Sequence, residues 1–92
     1  MADVRVQRVG DVDVVTIDRP EVRNALRFRS YDELERAVRD TTARCLVITG
    51  HERMFSAGYD IGGLPEDGFS AAAEKLVAHP FTEAITAIEA FP

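Results

Sequence analysis

The chain carries one cysteine and no tryptophan in 92 residues. No run of apolar residues approaches the roughly 20 that a membrane-spanning helix needs. The lone thiol, Cys45, excludes an internal disulfide framework and a zinc site built on cysteines. The opening Met1-Ala2-Asp3-Val4-Arg5 lacks the basic-then-apolar order of a secretory signal, so the expected location is cytoplasmic. The hydrophobic fraction of 46% and charged fraction of 29% are those of a globular chain. The length allows one small domain whose folding hides only about 60–65% of the unfolded surface. These features set the class of molecule and leave its activity open.

The net charge of −5 is unevenly spread. Residues 19–29 hold Arg19, Arg23, Arg27 and Arg29 against Glu21, a surplus of +3, whereas residues 60–92 carry −5. The acidic end argues against nucleic acid as a partner. The basic stretch fits a small anion such as a phosphate, or a solvated face with scattered arginines. Charge alone does not choose between them.

Alternation at Val4 and Val6, turn chemistry at Gly10-Asp11, and the β-branched run Val12, Val14, Val15, Ile17 predict a hairpin over 4–17. Pro20 stops the second strand, and 18–29 reads as irregular loop. Ser30-Tyr31-Asp32-Glu33 reads as a capping box opening a helix at Ser30, with Tyr31, Leu34, Ala37 and Val38 on one face. The helix ends at Thr41-Thr42. Cys45-Leu46-Val47-Ile48 reads as a strand buried on both faces, which predicts a parallel sheet reached by a helical crossover, with Cys45 in the core. A glycine-rich loop follows, with one short helical turn at 60–64. Helices are expected from Ala71 to Ala78, with Phe69, Ala72 and Leu76 as its apolar face, and from Thr82 to Ala90, separated by Pro80.

Several chemical motifs are ruled out. The 50–58 loop is glycine-containing but lacks the Lys-Ser/Thr pair of a phosphate loop. No Gly-x-Ser-x-Gly surrounds Ser56. His51 and His79 have no companions at ligand spacing and read as surface histidines. Phe55-Ser56-Ala57-Gly58-Tyr59-Asp60-Ile61 is more informative. Its small residues admit a ligand close to the backbone, Asp60 can cap a following turn, and outward amides there suit an oxyanion. A plain strand-to-helix connection would use similar residues, and the segment alone leaves both open.

Together, Ile17-Asp18-Arg19-Pro20-Glu21-Val22-Arg23-Asn24-Ala25-Leu26, a capped helix, Leu46-Val47-Ile48-Thr49-Gly50 and Phe55–Ile61 resemble the enoyl-CoA hydratase/isomerase (crotonase) family. The resemblance covers the whole chain but only the front of the family's domain. It implies an α/β fold, the N-terminal portion of a crotonase-type ββα spiral. It implies hydration of 2-enoyl-CoA thioesters through an enolate held by two backbone N–H groups, the first being Tyr59. Val22, Arg23 and Ala25 match the loop along the CoA nucleotide, and Ala57, Gly58, Asp60 and Ile61 flank the CoA-binding backbone. Coenzyme A enters as part of the substrate, with no permanently bound cofactor. Asn24 and Asp60 match structural positions, a loop-fixing amide and a helix cap.

Three departures from the family pattern stand out. Tyr59 replaces a residue that is often small, and its phenol is expected to project toward the acyl region. The central helix is about one turn shorter than usual. The second oxyanion donor and the acid/base residues fall beyond Phe91-Pro92, and Glu66, Glu74, Glu83 and Glu89 do not match them. Residues 1–92 are therefore expected to be an incomplete domain, inactive alone, whose uncovered apolar surface favours self-association. The alternative is a non-catalytic CoA-binding or interaction fragment.

Overall fold

The structure, a computed structural model, describes residues 2–60 and 68–91. Strands β1 (Val4–Val9) and β2 (Val12–Ile17) form an antiparallel hairpin. Helix α1 (Phe28–Asp40) then carries the chain across to β3 (Cys45–Gly50), which lies parallel to β2 in the order β1-β2-β3. This is the α/β arrangement expected from the apolar run after the helix.

Burial differs from the sequence reading on two strands. Only Val4 of β1 is buried, and Val6 and Val9 are exposed. Among the described residues β3 is an edge strand. Leu46 and Ile48 pack against the core, while Cys45 and Val47 lie exposed on the outer face. The expected double-sided burial, and the core position of Cys45, are thus both corrected. A run of β-branched and apolar residues marks a strand but does not by itself supply the layer that covers it.

The start of α1 is also corrected. The helix begins at Phe28, and Ser30 is the third residue of its first turn, accepting the Arg27 N–H at 3.1 Å. The Ser30 hydroxyl donates to Asp3 at 2.8 Å. Glu33 accepts the N–H groups of Asp3 and Val4 at 2.8 and 3.0 Å, so it ties the first strand to the helix. Ser30 thus caps the helix start at Arg27 while also reaching Asp3, whereas Glu33 serves the chain entering β1.

Helix α2 (Phe69–Leu76) passes through a π segment (Val77–Phe81) into α3 (Thr82–Ala90). Pro80 lies inside that segment, so it widens the helical path where a separation was expected. The side chains of Phe69 and Leu76, expected on the apolar face of α2, lie outside the described residues. Ala84 and Ala87 are buried, small enough to let α3 close on α1. The core joins Val4, Val15, Ile17, Leu26, Tyr31, Leu34 and Ala84. Each large apolar side chain enclosed there contributes about 1.5–3 kcal/mol. No helix among the described residues is long and apolar enough to cross a membrane.

Candidate functional site

The site forms where the segment after β2 meets the segment after β3. The sheet pairing extends outward as His51 N–H donates to Ile17 at 2.8 Å. Gly50 must lack a Cβ here: one would come within 2.1 Å of the Met54 carbonyl oxygen. A 3-10 turn at Pro20–Val22 leads into Arg23 and Asn24, both left-handed with φ of 56° and 57°. Asparagine tolerates that conformation, and its amide is fully used. Asn24 is 1% exposed. Its Oδ1 accepts the Arg19 N–H at 2.8 Å, and its Nδ2 donates to the carbonyls of His51 and Met54 at 2.9 and 2.7 Å. The loop-fixing role expected of Asn24 is what the structure displays.

The two segments then zip together. Ala57 N–H donates to Arg23 at 3.0 Å, and the Ser56 hydroxyl donates to the Asn24 carbonyl at 2.8 Å. Leu26 N–H donates to Gly58 at 2.8 Å, and Asp60 N–H donates to the Leu26 carbonyl at 2.7 Å. These last two bonds make a parallel bridge between Leu26 and Tyr59. In such a bridge Leu26 supplies both bonding groups, so the N–H and carbonyl of Tyr59 point to the opposite side. Among the described residues the Tyr59 N–H has no hydrogen-bond partner. Gly58, at φ +103°, supplies the backbone turn that presents it.

A buried ionic network sets the position of this strip. Arg19 donates from Nη1 to the Ala25 carbonyl at 2.6 Å and to Asp60 at 2.9 Å. Asp3 accepts two bonds from Arg27, at 2.8 and 2.7 Å, and lies 3.9 Å from Arg19. Hydrogen bonding from Arg27 lowers the Asp3 carboxyl to about 2 against the opposing effect of burial, with Ser30 and Arg19 adding to the same direction. The reciprocal bond from Asp3 raises Arg27 above its ordinary value.

This network changes the meaning of the +3 cluster. Arg19 is committed to Asp60 and Asp3, Arg27 to Asp3, and Arg29 to Glu33. Arg23 is exposed and has no ion-pair partner among the described residues. Arg19 is the buried member of the cluster, while Arg27 and Arg29 pair with acids of this chain from half-exposed positions. The acids Asp3 and Asp60 lie outside the 19–29 window, so the local charge count could not reveal the pairing.

Val22, Arg23, Ala57 and Gly58 are exposed along one rim, beside the Tyr59 amide. Ala25 is buried, its N–H donating to Val22 and its carbonyl accepting from Arg19, so it holds the loop and presents little to a ligand. The Asp60 carboxylate serves Arg19. Ile61, the short turn expected at 60–64 and Glu66 lie outside the described residues.

Ser56, Gly58 and Tyr59 also form a wall of an apolar cavity of about 420 Å³. Its aromatic side is a cluster the sequence did not reveal: the Tyr59 ring lies 5.9 Å from Tyr31 and 5.5 Å from Phe81, with Tyr31 and Phe81 5.7 Å apart. No spacing along the chain links residues 31, 59 and 81. Burial, with Tyr59 adding, pushes the Tyr31 hydroxyl up to about 12. A larger, open groove of about 690 Å³ between β1 and α1 carries both signs of charge and does not include the 56–60 segment.

An unpartnered backbone N–H thus lies beside an apolar cavity on a mixed α/β scaffold. Comparison with known proteins specifies the class. The sequence profile of enoyl-CoA hydratase/isomerase matches residues 7–92, and the chain belongs to this family, the crotonase family. A 2,3-dehydroadipyl-CoA hydratase from Escherichia coli is 37% identical over 75 residues, covering 77% of this chain and 29% of that protein. The solved enoyl-CoA hydratase of Mycobacterium smegmatis superposes with a TM-score of 0.85 at 26% identity, covering 100% of this chain and 37% of that one. An enoyl-CoA hydratase described from Thermobifida fusca, solved in complex with CoA, gives 0.68 at 30% identity, over 90% of this chain and 35% of that one. The 92 residues thus span about a third of the length of these relatives.

Proposed function

We propose that this chain binds the thioester end of an acyl-CoA, with the Tyr59 N–H donating to the thioester oxygen. The observation that carries this reading is the unpartnered Tyr59 amide at the cavity wall. The reaction it serves is hydration of a 2-enoyl-CoA: water adds across the double bond while the Tyr59 amide stabilises the enolate oxygen. Coenzyme A is part of the substrate, and no permanent cofactor is required. Val22 and Arg23 lie along the CoA nucleotide, with the Arg23 guanidinium toward phosphate. Ala57, Gly58 and Ile61 provide flanking backbone, while Ala25 and Asp60 support the loop from behind.

Residues 1–92 act in this reading as the N-terminal segment of an acyl-CoA-binding domain. The exposed Cys45 thiol fits a reducing, cytoplasmic compartment. Exposed Val9 and Val47 on the outer sheet face support self-association there.

A second reading, a non-catalytic CoA-binding chain, is favoured by one observation. Among the described residues no carboxylate or histidine lines the cavity, and Asp60 is tied to Arg19. Positioned acid/base groups contribute about 100- to 10,000-fold to such reactions. The 92-residue chain is therefore expected to show no hydration of crotonyl-CoA but to be stabilised by CoA. At ligand about tenfold above its Kd the gain is about 1.4 kcal/mol, a rise in Tm of about 6–11 °C. A folded sample whose Tm is unmoved at millimolar CoA would contradict the binding role. Crotonyl-CoA turnover would contradict the missing acid/base.

A further inference from the structure

Two tyrosines line the cavity, and neither hydroxyl has a hydrogen-bond partner among the described residues. Tyr31 is 4% exposed, yet its hydroxyl has no hydrogen-bond partner among the described residues. No fully occluded side-chain nitrogen or oxygen among the described residues lacks a partner, so this hydroxyl keeps contact with open space. Tyr31 lines the cavity, and Tyr59 borders it as well. The remaining polar side chain on the lining is Ser56, and its hydroxyl is engaged with the Asn24 carbonyl and the Gly58 N–H. The rest is apolar, with the rings of Tyr31, Tyr59 and Phe81 on one side.

We infer that the cavity selects an aromatic acyl group bearing an oxygen substituent, with the Tyr31 hydroxyl recognising that oxygen. This rests on the acyl-CoA reading above and names the acyl class within it. Size permits it: an apolar cavity of about 150 Å³ already holds a benzene ring, and this one is about 420 Å³. Ring chemistry favours it, because aromatic guests pair edge-to-face or offset with aromatic walls. A plain alkyl or phenyl group would leave a nearly buried hydroxyl unpaired, whereas a ligand oxygen at that point satisfies it. The hydroxyl stays protonated and able to donate throughout the neutral range, since its pKa is held at about 12.

The test is a calorimetric titration of the 92-residue chain and of Tyr31→Phe with 4-hydroxybenzoyl-CoA, benzoyl-CoA and butyryl-CoA. The unmodified chain is expected to bind 4-hydroxybenzoyl-CoA about tenfold more tightly than benzoyl-CoA. In Tyr31→Phe, which keeps the ring and its packing, that ratio falls to about one and the other two affinities hold. Equal affinities in the unmodified chain overturn the inference without any variant being made. So does a ratio that survives in Tyr31→Phe. Butyryl-CoA binding reports on the acyl-CoA reading separately: if it binds and no hydroxyl preference exists, only this inference falls. If none of the three binds, both fall.

Discussion

Asn24→Ala is expected to remove about 4 kcal/mol of stability, the largest loss foreseen from one side chain. The substitution strands the Arg19 N–H and the carbonyls of His51 and Met54, all of which the Asn24 amide now satisfies. Each buried polar group left unpaired costs about 1–3 kcal/mol. Alanine at φ 57° adds a left-handed penalty of about 1 kcal/mol, since asparagine occupies that region more readily. A domain of this size has roughly 5–14 kcal/mol in total, so a large part of it would be lost. Urea unfolding should show the midpoint fall steeply. Asn24→Gly separates the two contributions, because glycine removes the backbone strain and leaves the hydrogen bonds missing. A loss below about 1 kcal/mol in Asn24→Ala would mean that water or neighbouring groups replace the amide.

Asp3 governs a second large effect, visible as acid sensitivity. Its folded pKa of about 2 lies below the ordinary aspartate value of 3.8. A depressed carboxylate contributes stability that is complete above the unfolded pKa and lost as pH falls through the folded one. The contribution is thus present above about pH 4 and disappears toward pH 2, and amounts to about 2 kcal/mol. Asp3→Asn should destabilise the protein near neutrality by about 2–4 kcal/mol, because Arg27 and the Ser30 hydroxyl lose their charged partner. The gap between the two proteins should then narrow from pH 5 to pH 2. Asp13, lowered by hydrogen bonds from Thr41 and Arg8, titrates in both and cancels in the difference. A gap that stays constant over that window would show that the Asp3 carboxylate is not the linked group.

These two residues illustrate what a linear sequence exposes and what it hides. The hairpin, the crossover helix and the parallel third strand follow from patterns confined to a few consecutive residues: alternation, a glycine turn, and an apolar run after a helical face. Asn24 was readable as a loop-fixing amide through its family-like setting. Asp3 was not, because its partners Arg27 and Ser30 lie 24 and 27 residues away. The same separation concealed the commitment of Arg19 to Asp60, 41 residues on, and made a set of ion-paired arginines look like a cluster awaiting phosphate. Glu33 and Ser30 had the right chemistry for a helix cap, but the first strand claimed most of it. The aromatic side of the cavity has no sequence signature at all, since three elements converge to make it.

What unites the fold and the proposed chemistry is one backbone group. Arg19, Asn24 and Leu26 hold the 56–60 strip so that its neighbours are satisfied and the Tyr59 N–H faces outward. The most direct measurement is a nitrogen-15 amide titration of the 92-residue chain with acetoacetyl-CoA, whose enolate offers a charged oxygen. The Tyr59 amide is expected to move downfield most strongly, with smaller shifts at Val22, Arg23 and Ala57. Binding that shifts other amides and leaves Tyr59 unmoved would contradict the account.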